Sequence, residues 1–118
     1  MKTAYDDIVS FVTKDGSVIR ELMHPSHHGM GAMSFAEAIV DGGGTTHLHL
    51  HLRSEEIYHI TQGTGRMRMG ESEFDIRRGD TVAIPPGTPH NVTHTGHEAL
   101  KILCVCYPPY ADDDTRLL

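Results

Sequence analysis

The segment Thr45-Thr-His-Leu-His-Leu-His-Leu52 places three imidazoles at alternate positions. In an extended strand alternate side chains share one face. His47, His49 and His51 therefore point one way, and Leu48, Leu50 and Leu52 the other. The leucine face suits packing between sheets. A histidine face turned toward a barrel interior is costly unless each imidazole is hydrogen-bonded or bound to a metal. Neutral imidazole is the commonest metal ligand, and Glu55-Glu56 adds carboxylates close by. A lone inward histidine is more often a satisfied core residue; three in register beside two carboxylates point to a metal. Ten histidines in 118 residues fit that reading. His47, His49, His51, His59, His90 and His94 fall in the middle third of the chain or just after it.

Such a cluster needs strands to position it. Gly, Pro, Asn and Asp punctuate the chain every eight to twelve residues. Between them lie short runs rich in Val, Ile, Thr, Phe and Tyr: 18–22, 34–40, 45–52, 57–61, 66–69, 73–76, 81–84, 91–95 and 100–107. This spacing predicts an all-β sandwich or barrel. No segment carries a helical period over ten or more residues. Met69-Gly-Glu-Ser72 reads as a hairpin turn, and Pro85-Pro-Gly87 as a rigid one. With no repeat and no linker, 1–118 is expected to form a single domain. Residues 111–118 read as a tail whose Asp112–Asp114 run is solvated.

Composition excludes several partners. The net charge is −6, and the 10 lysines and arginines do not cluster, so no basic stripe exists to neutralise phosphates. No nucleic-acid partner is expected, and 118 residues leave no space for a fused DNA-binding domain. No stretch approaches the roughly 20 apolar residues of a membrane-spanning helix, and residues 1–7 are too polar and acidic for a secretory signal. A cytoplasmic location follows as the default. Cys104 and Cys106 lie two apart in an apolar strand, so their Cα atoms are about 6.6 Å apart. That is near the upper limit for a disulfide, with parallel side chains, and predicts two reduced thiols.

At this point the sequence resembles the cupin superfamily. Its first motif reads here as Gly43, five residues, His49-Leu-His51, four residues, Glu56, six residues, Gly63. Its second reads as Gly79, five residues, Pro85-Pro-Gly87, two residues, His90, three residues, then His94 where the family usually has Asn. The motifs span 43–63 and 79–94, nearly half the chain. The resemblance implies a double-stranded β-helix, that is, a jelly-roll β-barrel. It also implies His49, His51, Glu56 and His90 as ligands of one divalent transition metal. Pairing His47 with His49 instead would require a carboxylate at Arg53 or Ser54. His47 is left one pair further along the same face, as a supporting group, a base, an alternative ligand or a partly exposed polar residue. His94 either hydrogen-bonds in place of the missing Asn or adds a further nitrogen, and the structural role is favoured.

Other residues follow from their positions. Tyr58 shares the inward face of Glu56, either as an acid–base candidate or as a core tyrosine. His59 alternates outward, where it could meet a partner subunit. Arg20 binds an anionic substrate or forms an ordinary salt bridge. His24, His27 and His28 occupy a surface loop, and His97 an exposed turn. Three nitrogens and one carboxylate oxygen suit Fe, Mn, Ni, Co, Cu or Zn and leave one or two positions open. The resemblance implies a metal-dependent enzyme on a small oxygenated molecule, with sugar-isomerase-like or dioxygenase-like chemistry. A metal–tyrosine lyase and a non-catalytic small-molecule-binding protein are the alternatives, and a homodimer is implied.

Overall fold

The computed structural model describes residues 1–29 and 31–118. Two antiparallel sheets face one another as a jelly roll. One sheet has six strands: β1 (Phe11–Val12), β2 (Val18–Met23), β3 (Ser34–Val40), β10 (Leu100–Tyr107), β5 (Glu55–Gln62) and β8 (Thr81–Ile84), in that order. The other has five: β11 (Thr115–Leu117), β4 (His49–His51), β9 (His90–Thr95), β6 (Thr64–Met69) and β7 (Ser72–Arg77). The expected runs at 34–40, 81–84 and 100–107 are strands with those bounds.

Period-two burial builds the interior. Along β10, Leu100, Ile102, Cys104 and Cys106 are buried while their neighbours are not. Along β5 the same alternation buries Glu56, Tyr58 and Ile60. Ile60, Met67, Ile76, Leu100 and Ile102 are fully enclosed between the sheets. Pairing of β10 with β5 sets Cys104 beside Tyr58 and Cys106 beside Glu56. Gly63, between β5 and β6, has φ +81°, and a Cβ there would stand 2.6 Å from the Ala99 carbonyl oxygen. Only glycine fits that turn. The two-residue turn after Met69 has the expected position, with Gly70 at φ +60°.

Two expectations need correction. Residues 111–118 are not a tail: a 3₁₀ turn at Asp112–Asp114 leads into β11, which pairs with β4 as Thr115 opposite His51 and Leu117 opposite His49. Asp114 is buried rather than solvated, because its carboxylate accepts from the backbone N–H groups of Arg53 and Ser54 and from Arg53 Nε. Nor is 45–52 one long strand. β4 begins only at His49, since the His47 N–H is drawn to the Asp15 carbonyl at 2.7 Å. The leucines beside the histidines face away from the core, with Leu48 and Leu50 half-buried and Leu52 exposed. A single helical turn, α1 (Pro25–His28), fills the loop before β3. Among the described residues, no helix is long and apolar enough to cross a membrane.

Candidate metal centre

Strand register brings the three candidate histidines together. His49 pairs with His90 across β4 and β9, and His51 lies two residues along the same face of β4. Ligand atoms of His49, His51 and His90 lie within 4.8 Å of one another, and all three residues are buried. Glu56 enters from the facing sheet. Its Oε1 stands 3.2 Å from His51 Nε2 and 3.5 Å from His90 Nε2.

Each imidazole is oriented from behind. Nδ1 of His49 donates to the His47 carbonyl at 2.8 Å, and Nδ1 of His90 to the Thr88 carbonyl at 2.8 Å. Nδ1 of His51 donates to Thr115 Oγ1 at 3.0 Å, and that hydroxyl donates onward to the Ala111 carbonyl. With Nδ1 carrying the proton, each ring presents a bare Nε2 to the centre, the tautomer a metal ligand needs. Glu56 is held likewise: the Cys106 thiol donates to its Oε2 at 3.1 Å, leaving Oε1 toward the imidazoles. Both Cys104 and Cys106 are free thiols, as expected.

Two atoms test whether a cation fits. Glu56 Oε1 and His90 Nε2 are enclosed yet make no hydrogen bond among the described residues. Buried polar atoms are ordinarily satisfied, and an unpaired acceptor oxygen facing a cluster of imidazole nitrogens is what a cation would satisfy. The charge states agree. Burial pushes the Glu56 carboxyl up, but the close approach of the His51 and His90 rings outweighs it and holds the group at about 2. Burial, then repulsion from His90, lowers the pKa of His49 and favours its neutral form. Tyr58 moves the other way, its phenol raised well above the ordinary value by burial and by Glu56. It is a proton-bearing donor here, not a ready phenolate.

A cavity opens from this cluster. Space open to the centre of a water-sized sphere amounts to about 50 Å³, more than the roughly 10–15 Å³ that one water requires. His49, His51, Glu56 and Tyr58 line it, with Ile19, Ala36, Ala38 and the two cysteines as apolar wall. The cavity also takes in Asp15, Glu21, His24, Tyr110 and Thr115, none of which the sequence reading placed in the site. Asp15 sits in the turn between β1 and β2, where an acidic residue looks like ordinary turn chemistry. His24, expected at the surface, is half-buried, its Nε2 donating to the Tyr110 carbonyl at 2.8 Å.

Three candidates lie elsewhere. His47 is exposed and packs over Gly16, because it precedes the strand and does not share the face of His49 and His51. His94 is buried but committed: its Nδ1 accepts from the Gly43 N–H at 2.9 Å and its Nε2 donates to the Glu98 carbonyl at 2.7 Å. It braces the loop before β4 in place of the usual Asn and has no nitrogen to spare for a metal. Arg20 faces away from the cavity, which is lined by its alternate neighbours Ile19 and Glu21. Its guanidinium lies over the Tyr5 ring at 4.7 Å and donates to the Tyr5 hydroxyl at 3.1 Å. Arg20 does not line this cavity. His59 is exposed as expected, bonded to Thr81 Oγ1.

Two facing antiparallel sheets with an inward cluster of imidazoles and a carboxylate define a class, and comparison with known proteins agrees. The cupin domain model matches residues 36–106, and the chain belongs to that family. It is 50% identical over 118 residues to an uncharacterized protein of Methanocaldococcus jannaschii, covering 100% of this chain and 94% of the relative. It is 29% identical over 110 residues to auxin-binding protein 1 of Arabidopsis thaliana, covering 86% of this chain and 51% of that protein. Among solved structures, oxalate decarboxylase of Bacillus subtilis superposes with a TM-score of 0.85 at 20% identity, over 100% of this chain and 32% of that one. The Streptomyces nucleoside dehydratase Pac13 superposes with a TM-score of 0.80 at 16% identity, over 100% and 90%. At those identities the likeness is one of fold.

Proposed function

We propose that the chain, as a single domain, holds one divalent transition metal through His49, His51, Glu56 and His90 and acts on a small oxygenated molecule in the adjoining cavity. The observation that carries this reading is the enclosed, unpartnered pair Glu56 Oε1 and His90 Nε2 at the convergence of three oriented imidazoles. When bound, such an ion supplies Lewis acidity to a carbonyl or hydroxyl oxygen. Tyr58 presents a protonated phenol to the same space and donates to a substrate oxygen. The wall of Ile19, Ala36 and Ala38 limits water around it. These features suit isomerase-like or dioxygenase-like chemistry; the Tyr58 donor beside the centre also suits a metal–tyrosine lyase. One comparison favours a reading without turnover: auxin-binding protein 1 is, by its name, a binding protein. Pairing of two copies through open sheet edges completes the proposal.

Metal content of Ala variants at His47, His49, His51, Glu56, His90 and His94 tests the centre. Occupancy should fall strongly for His49, His51 and His90, less for Glu56, and stay near normal for His47 and His94. If none of the six changes occupancy, the metal reading fails.

A further inference from the structure

We infer that the small molecule taken by this cavity is a hydrogen-bond donor without negative charge, a vicinal polyol or amino alcohol rather than a carboxylate or phosphate. The inference rests on the metal centre proposed above and names its substrate class. Three carboxylates, Asp15, Glu21 and Glu56, line the cavity, and among the described residues no lysine or arginine does. Against the two positive charges of a divalent ion, these leave one net negative charge.

The two carboxylates outside the proposed ligand set retain acceptor oxygens. Asp15 Oδ1 is saturated by Thr13 Oγ1 at 2.9 Å, the Ser17 N–H at 2.9 Å and Ser17 Oγ at 2.7 Å. That fixes the carboxylate and leaves Oδ2 3.8 Å from His49 Nε2. Glu21 Oε2 is enclosed and makes no hydrogen bond among the described residues. Its nearest basic neighbour, His27 Nε2 at 3.3 Å, belongs to a side chain that is 63% exposed. His24 Nδ1, at 4.0 Å, already accepts from the Ser26 N–H, while its Nε2 donates to Tyr110. With both ring nitrogens so engaged, neither is free to pair with Glu21.

Apart from the Tyr58 phenol, donors for an anion are correspondingly scarce. Thr13 and Ser17 spend their hydroxyl protons on Asp15. The nearest arginine along β2, Arg20, lies on the opposite face of the strand, stacked on Tyr5. An incoming carboxylate would meet fixed carboxylates with little to neutralise them. A hydroxyl or ammonium group would meet acceptors that lack partners.

The experiment titrates zinc-loaded protein with glycerol, ethanolamine, glycolate and inorganic phosphate, read from the backbone amide shifts of Ser34 and Tyr110. Glycerol and ethanolamine should bind at least about tenfold more tightly than glycolate or phosphate, the scale set by an unscreened charge a few ångströms away. Asp15→Asn and Glu21→Gln keep the shape and remove one charge each, and should narrow that gap. Glycolate or phosphate binding as well as glycerol would overturn the inference. So would silence from all four probes, or an unchanged gap in both variants. Zinc uptake is measured separately: a protein that takes no zinc yet keeps the preference overturns the metal centre alone.

Discussion

Thr115 ties the C-terminal strand to the candidate centre through one hydroxyl. That hydroxyl accepts from His51 Nδ1 at 3.0 Å and donates to the Ala111 carbonyl at 3.0 Å. Thr115→Val keeps the shape and removes both bonds. Thr115 and His51 are each only 4% exposed, so bulk water does not replace the lost partner. Stripping a buried donor of its acceptor costs about 1–3 kcal/mol. The ring can recover that cost only by rotating, which carries Nε2 out of the cluster. Loss of the group that orients a ligating histidine typically weakens metal binding by about 10- to 100-fold. At about 1.4 kcal/mol per tenfold, the two ranges overlap. Zinc affinity, measured by competition with a chromophoric chelator, should therefore drop by about 10- to 100-fold in Thr115→Val. Thr115→Ser, which keeps the hydroxyl, should stay within about threefold of the parent, since it preserves the bond to His51. A Thr115→Val protein with unchanged circular dichroism and parental zinc affinity would refute the reasoning.

Two further outcomes follow from the same geometry. Acid should destabilise the metal-free fold. The folded pKa of His49 lies below 6.5, so as pH falls through 6.5 the unfolded chain takes up the proton first and stability drops; Glu56 adds the same sign between 4.5 and about 2. The urea midpoint should decline as pH falls from about 7.5 to about 5, and a rising midpoint would contradict the sign. Cys106→Ala removes the donor to Glu56 Oε2 and should cost about tenfold in metal affinity. Cys106→Ser should restore it, and an Ala variant as tight as the parent would reduce Cys106 to packing.

The parts of the fold legible in the sequence are those written in local period. β8 and β10 alternate inward residues with outward ones, and β3 is a short, largely apolar run between turn residues, so their bounds could be read directly. His49, His51, Glu56 and His90 stood out because their spacing is short-range within two motifs. What stayed hidden depends on contacts between distant residues. The acidic run at 112–114 looks solvated until Asp114 is seen to serve N–H groups 60 and 61 positions earlier in the chain. His47 seems to extend the histidine strand until the Asp15 carbonyl takes its N–H. Asp15 and Glu21 carry no motif: the Asp15 turn is held by the His47 N–H, and Glu21 reaches the cavity through the pairing of β2 with β3.

The division of donors between the sheets gives the centre its mechanical meaning. The three imidazoles hang from β4 and β9 of the five-stranded sheet, while Glu56, Tyr58 and both cysteines hang from β5 and β10 of the six-stranded one. Three nitrogens on one wall can gather an ion without help from the other. That is why the loss expected for a Glu56 variant is the smaller one. The carboxylate instead closes the contact across the barrel, with Cys106 fixing its direction from within the same sheet. An ion at this point would bridge the two sheets at the end of the core where side chains turn from apolar to polar. Below that level Ile60 and Ile102 fill the space; above it the cavity begins. A cation held here would therefore tie the two sheets together through side chains of both, across the polar end of the core.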